Sequence, residues 1–161
     1  MFWLDADTLM RAKNQAYAFD IAPGFWEIIK RNAKAGKLAS PTLVYDEIAR
    51  GGDELTTWAN RERKTNLFVE PDEETQEIMT DIANWVNQNY ERQQAAFFLK
   101  GADGWVIAAA LGDSGTVVTH EALVGQDSKR VKIPNVCLRF GVKYTDCYGM
   151  LRGLGETLHQ K

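Results

Sequence analysis

Short apolar runs alternating with helical stretches predict an α/β fold with a central, mainly parallel sheet and helices on both faces. Two further observations point the same way. Four carboxylates stand at the edges of apolar segments: Asp5 after Met1-Phe2-Trp3-Leu4, Glu47 before Ile48, Asp103 before Gly104-Trp105-Val106-Ile107, and Glu121 after Thr116-Val117-Val118-Thr119-His120. A carboxylate that ends a short β-run lies at the carboxyl edge of a parallel sheet, where open α/β folds gather their ligands. The length, 161 residues with 45% hydrophobic and 25% charged content, suits one compact domain spanning 1–161 with a sizeable core.

The elements follow in order. Phe2 to Asp5 is apolar and reads as a first strand, then a helical turn. A helix spans about Pro23 to Ala35, with Phe25, Trp26, Ile28 and Ile29 at helical spacing and Gly36 to end it. Leu38-Ala39 forms a brief second strand, after which Ser40 and Pro41 suit the N-cap and first turn of a helix carrying Val44, Glu47 and Ile48. Asp53 to Lys64 is a charge-rich helix, Leu67-Phe68-Val69 a strand stopped by Pro71, and Asp72 to Tyr90 a long helix with Ile78, Ile82, Trp85 and Val86 inward. A short helix over Gln93 to Leu99 leads into one over Ala102 to Leu111, followed by a strand over Thr116 to Thr119. His120 to Lys132 is polar, contains Gly125, and reads as a mobile loop beside the sheet edge. Pro134 to Phe140 is a short helix and Lys143 to Thr145 a final strand. Asp146 to Leu158 is a closing helix interrupted by Gly153 and Gly155.

Composition bounds the function. No apolar run approaches the roughly 20 residues needed to cross a bilayer, and Asp5 and Asp7 stand where a signal peptide carries basic residues, so a cytoplasmic protein without a membrane role is expected. Cys137 and Cys147 lack C-x-x-C spacing, and with only His120 and His159 beside them no structural zinc site is expected; both read as reduced core residues. A net charge of -3 gives no global basic field, so a polyanionic partner must be held by local patches or through a bound cation. The patches available are Lys30, Arg31, Lys34 and Lys37 on one helix, Arg50 one turn beyond Glu47, Arg61 to Lys64, and Lys129, Arg130 and Lys132 in the loop. Most such runs are solvated faces. Arg50 and the 129–132 cluster lie nearest the acids in the expected fold and are the expected phosphate contacts.

Four segments, Leu4-Asp5-Ala6-Asp7-Thr8-Leu9, Val44-Tyr45-Asp46-Glu47-Ile48, Ala102-Asp103-Gly104-Trp105-Val106-Ile107-Ala108 and Val117-Val118-Thr119-His120-Glu121, resemble the successive motifs of PIN domains. Their order spans nearly the whole chain. The tail from Ile133-Pro134-Asn135-Val136-Cys137 to Phe140-Gly141-Val142 is similar to the closing segment of a bacterial PIN-like subfamily. The resemblance implies a PIN-like three-layer α/β/α fold and a Mg2+- or Mn2+-dependent endoribonuclease of the VapC type, the toxin of a toxin–antitoxin pair. By the matching positions, Asp5, Asp103 and Glu121 would be metal ligands, direct or through water, and Glu47 would orient or deprotonate the attacking water. It further implies an RNA substrate, an antitoxin partner that can bind DNA, and self-association into a homodimer. Glu121 stands where many relatives carry Asp, and Asp7 where many carry Asn, Ser or Thr.

Hard divalent ions keep several waters, so a few carboxylates suffice to hold one and leave positions open to a phosphate. Simpler readings stand beside this one. Asp5 and Asp103 are each suited to a helix N-cap; Asp46 is an exposed helical acid; Thr119 is either a core strand residue or a hydroxyl bonded to the acids, and then part of the substrate site. His120 is a packing or surface residue, and Trp58, Trp85 and Trp105 are core. Asp5-Ala6-Asp7-Thr8 also matches the D-x-D-x-T opening of haloacid-dehalogenase-like phosphatases, in which the first Asp is the nucleophile and the second the acid/base, again with magnesium. A non-catalytic protein-binding module is the third reading.

Overall fold

A computed structural model describes residues 1–159. The chain runs β1 (Phe2–Leu4), α1 (Ala6–Asn14), α2 (Pro23–Lys34), β2 (Leu38–Pro41), α3 (Thr42–Ala49), α4 (Glu54–Glu62), β3 (Phe68–Val69), α5 (Glu73–Asn89), α6 (Arg92–Lys100), α7 (Asp103–Gly112), β4 (Thr116–Val118), α8 (Ile133–Phe140), β5 (Lys143–Thr145) and α9 (Cys147–Leu154). The strands form one five-stranded sheet in the order β3-β2-β1-β4-β5, every pairing parallel. Helices flank it, giving the expected PIN-like α/β/α architecture.

That order decides where a site can be. β1 lies between β2 and β4, so the winding of the chain reverses between β1 and β4, and a crevice opens outside the carboxyl ends of those two strands. Leu4 pairs with Val118 at that end, and both are fully buried. Asp5 is therefore delivered to the crevice from one side and Thr119 to Glu121 from the other.

α7 is the central buried helix. Val106, Ile107, Ala108 and Ala110 have no exposed surface, and the helix packs on β1, β2 and β4 as well as on α5, α6 and α8. Gly104 permits the close approach of α5: a Cβ at that position would lie 2.6 Å from Met79 Cε. A helix fixed on so many sides holds its first residue, Asp103, firmly at the crevice.

Local chemistry explains the helix starts. Asp53, Asp72 and Asp146 cap α4, α5 and α9 by accepting the N–H of Thr56, Thr75 and Gly149. Gly141 and Gly155, at φ of 69° and 68°, end α8 and α9 in the left-handed conformation that glycine adopts without strain. Gly155 thus stops the closing helix at Leu154, short of the expected Leu158.

Three other expectations change. The turn after β1 is a full helix, α1, because Asp5 caps it. Ser40 and Pro41 belong to β2 and not to the next helix: the Ser40 hydroxyl donates to Leu4 O at 2.8 Å, a tertiary bond that competes with capping. Trp85 and Trp105 are only partly buried, whereas Trp58 is core. Cys137 and Cys147 are free and buried, as expected, and burial pushes both thiols up to about 12. No single helix among the described residues is long and apolar enough to cross a membrane.

Candidate active site

Asp5 is fully buried at the end of β1 and does two things at once. Its Oδ1 caps α1, accepting the Thr8 N–H at 2.7 Å, while its Oδ2 is buried with no hydrogen-bond partner among the described residues. The residue is pinned to the neighbouring strand: its own N–H donates to Val118 O at 3.2 Å, and the Thr8 hydroxyl donates to the same carbonyl. Burial raises the Asp5 carboxyl above the usual carboxylate range. The Thr119 hydroxyl and the Thr8 groups beside it offset part of the rise without giving Oδ2 a full hydrogen bond.

Asp103 opens α7 without capping it. Ala102 holds the cap position, and no side-chain cap bond is made there. The simple capping explanation therefore holds for Asp5 and fails for Asp103. Burial pushes the Asp103 carboxyl up to about 8, and the charges of Asp5, Glu121, Glu47 and Asp7 add to the rise. Four acids have been gathered around one position.

Glu47 reaches this position from α3. Its Oε1 accepts the Ala102 N–H at 2.6 Å, which leaves Oε2 for the crevice. Gly101 makes the reach possible, since a Cβ there would lie 2.9 Å from Glu47 Oε1. Glu121 arrives from the segment after β4. Its Oε2 accepts the N–H of Ile133, the first residue of α8, at 2.7 Å, and its own N–H donates to Thr119 Oγ1 at 3.1 Å. A carboxylate at a helix N-terminus is favoured by the helix dipole.

The segment after Glu121 is tied at a second point, where the Asn135 side chain exchanges hydrogen bonds with the Val124 backbone at 3.1 and 2.8 Å. The stretch expected to be a mobile loop is thus anchored to α8 by two side chains.

Glu47, Asp103 and Glu121 line a cleft of about 680 Å3, with Arg50, Arg130 and Lys132 on its walls. Asp5 is not a lining residue; it lies beneath, acting on Asp103 through its charge. Of the other expected substrate contacts, Lys129 is exposed outside the cleft lining. Thr119 is 2% exposed and turns its hydroxyl to the acids, so burial withdraws it from any substrate. None of the remaining basic runs lines the cleft, and three of their members are engaged elsewhere: Lys30 with Glu62 at 3.9 Å, Arg31 with Glu156 at 2.6 Å, and Arg63 over the Tyr45 ring. Sequence reasoning expected the helix α6 but missed its part in the site: it brings Gln93, Gln94, Phe97 and Lys100 to the same cleft. The signal available was Phe97 on the polar side of a short amphipathic helix.

Among the described residues, no three His, Cys, Asp or Glu side chains converge closely enough to form a ready cage for a metal. The donors present still suit a hard divalent ion, which needs one or two carboxylates and keeps its waters. An unpartnered buried oxygen on Asp5 and a carboxyl on Asp103 raised by burial and then by its acidic neighbours are the features such a cation would relieve.

Comparison with known proteins adds the following. The family described as "Domain of unknown function (DUF4411)" matches residues 2–158. No curated protein matches the chain. Among solved structures, FitAB bound to an IR36 DNA fragment is similar at 14% identity with a TM-score of 0.53, covering 91% of this chain and 94% of that one. FitAcB from Neisseria gonorrhoeae is similar at 14% identity with a TM-score of 0.52, covering 89% and 96%. At that identity the likeness is one of fold.

Proposed function

The chain belongs to the DUF4411 family, and from the site it carries we propose a metal-dependent endoribonuclease, the toxin of a type II toxin–antitoxin pair. The observation that carries this reading is the pairing of Asp5, whose buried Oδ2 has no partner, with Asp103, raised to about 8 at the floor of an open cleft with cations on its walls. A folded domain gathers mutually repelling acids at a cost, and a cation accounts for the arrangement. The resemblance of the four segments to PIN motifs supports the same reading.

Asp5 and Asp103 would hold the ion, with the remaining oxygen of Glu121 at its edge. When bound, Mg2+ or Mn2+ supplies water activation and neutralises charge on the scissile phosphate. Glu47, held in place by the Ala102 N–H, is positioned to take the proton of the attacking water through Oε2. Arg50, Arg130 and Lys132 face the same cleft and hold the RNA backbone. The phosphatase reading fits less well: Asp7 lies on an exposed turn of α1, paired with Arg11 at 2.7 Å, and does not line the cleft.

The partners in this reading are an RNA substrate, an antitoxin that covers the cleft, and a second copy of the chain. FitAB, which shares the fold, is bound to DNA in its structure, and this supports an antitoxin with a DNA-binding part.

The test is incubation of the purified chain with mixed structured and single-stranded RNAs in Mg2+ or Mn2+, with and without chelator, beside Asp103→Asn. Cleavage that requires both metal and Asp103 is expected. A chain that cleaves no RNA and gains no thermal stability from either ion is a binding module instead.

A further inference from the structure

The α6 wall of the cleft is not used by the chemistry above, and its composition is specific. Ala95 and Phe98 face inward and are buried. On the outer side, Gln93, Phe97 and Lys100 follow one another at i, i+4 and i+7 and all line the cleft, with Gln94 beside them. Phe97 is 81% exposed, more than any other large apolar side chain among the described residues. A phenyl ring left in water at the wall of a polar cleft has no part in the core.

Charge says what can cover it. Arg50, Lys100, Arg130 and Lys132 line the cleft, and none has an ion-pair partner among the described residues. The floor carries Glu47, Asp103 and Glu121. An occupant must therefore bring anions for the walls and an apolar flat face for Phe97. A nucleotide with an unpaired base does both, its phosphates meeting the cations and its base the ring. Base pairs inside a duplex offer no free face, since each is already stacked on its neighbours.

We propose that Phe97 is the stacking platform for an unpaired base beside the scissile phosphate. Lys100, nearly one turn further along α6, holds the adjoining phosphate, and the Gln93 and Gln94 amides meet the edge of the stacked base, where an amide can both donate and accept. This rests on the nuclease reading for the position of the scissile bond, but the stacking itself does not require cleavage.

The experiment therefore measures binding in the Asp103→Asn chain. Short single-stranded RNAs carrying 2-aminopurine at successive positions, and duplexes of the same sequences, are titrated with Phe97 intact and with Phe97→Ala, Phe97→Leu and Phe97→Tyr. Because the side chain is exposed, none of these substitutions threatens the fold. Phe97→Ala is expected to weaken single-strand binding roughly 5- to 150-fold, the range that stacking of one base supplies. It should also abolish quenching at one position, with Phe97→Tyr retaining both and Phe97→Leu neither. Duplex binding should not change. Equal affinity of Phe97→Ala and its parent, full function of Phe97→Leu, or an equal loss on duplexes overturns the proposal. Absence of any RNA binding by the parent also overturns it and leaves the α6 face to a protein partner. The two readings separate cleanly: wild-type chain that stacks RNA through Phe97 without cleaving it refutes only the nuclease, and cleavage indifferent to Phe97 refutes only the platform.

Discussion

Glu47 on α3 accepts the backbone N–H of Ala102 at 2.6 Å, directly before Asp103, so one carboxylate of the site is oriented by the start of the helix that carries another. The bond exists because Gly101 leaves room for it. A methyl at 101 would meet Glu47 Oε1 at 2.9 Å, and the flexible end of that side chain is the part that yields. Gly101 has φ of -88°, which alanine adopts without strain. Gly101→Ala is therefore expected to lower kcat about 10-fold or more, in the range a misplaced general base costs, while the melting temperature stays within a few degrees of wild type. Parallel kinetics and melting curves check this; unchanged kcat would show that Glu47 need not be held.

Asp5 separates two roles by atom. Asn at position 5 keeps an oxygen to cap α1, whereas Ala removes it. Asp5→Asn is expected to leave stability within about 1 kcal/mol and to abolish stabilisation by Mn2+. Asp5→Ala should lose both, with a capping cost of roughly 0.5–2 kcal/mol. Chemical denaturation with and without metal distinguishes them.

The raised Asp103 carboxyl makes a signed prediction. Its folded pKa of about 8 lies above the unfolded value of 3.8, so between those values the folded chain binds the extra proton. This stabilisation is complete below about pH 4 and is lost as pH rises through about 8. In chelator, Asp103→Asn should be more stable than wild type at pH 8 by at least about 1 kcal/mol, one pKa unit being about 1.4 kcal/mol, and the gap should close towards pH 4. Metal works in the opposite direction. Ligands must be deprotonated to bind, so the rise in melting temperature caused by Mg2+ or Mn2+ should grow from pH 6 to pH 9. A flat response across that range would remove Asp103 from the ligand set.

Thr119 accepts the Glu121 N–H at 3.1 Å and its hydroxyl holds down the Asp5 carboxyl. Thr119→Val keeps the shape and removes the hydroxyl. Metal affinity should fall about 10-fold by loss of this supporting shell, and Thr119→Ser should restore it. Calorimetric titration with Mn2+ gives the comparison.

Glu121→Ala should free the Ile133 N–H and loosen the segment that follows, with faster amide exchange at Ile133. Asn135→Ala should speed exchange at Val124 while leaving Mn2+ affinity unchanged, because Asn135 touches the segment and not the acids. Hydrogen-exchange rates at those two amides report both effects.

Much of this was legible in one dimension. Apolar runs such as Phe2–Leu4 and Thr116–Val118 identify buried parallel strands by their length and composition, and the acids that follow them mark the carboxyl edge of the sheet. Those signals are local, since a strand pattern and the residue at its end lie within a few positions of each other. What failed at this level failed for a tertiary reason. Ser40 has the chemistry of an N-cap, and a carbonyl on β1 claimed its hydroxyl.

By itself, the sequence determined the α/β class and most element positions, and it offered the four acids as candidates, because periodicity and side-chain chemistry are written residue by residue. Only the tertiary structure decided that Asp5 lies beneath the cleft and not in its wall, that Thr119 serves the acids, and that α6 supplies Phe97 and Lys100. Those outcomes depend on which strands become neighbours in the order β3-β2-β1-β4-β5, and on the packing of α6 beside α7. Such long-range contacts leave no mark on the spacing of any one segment.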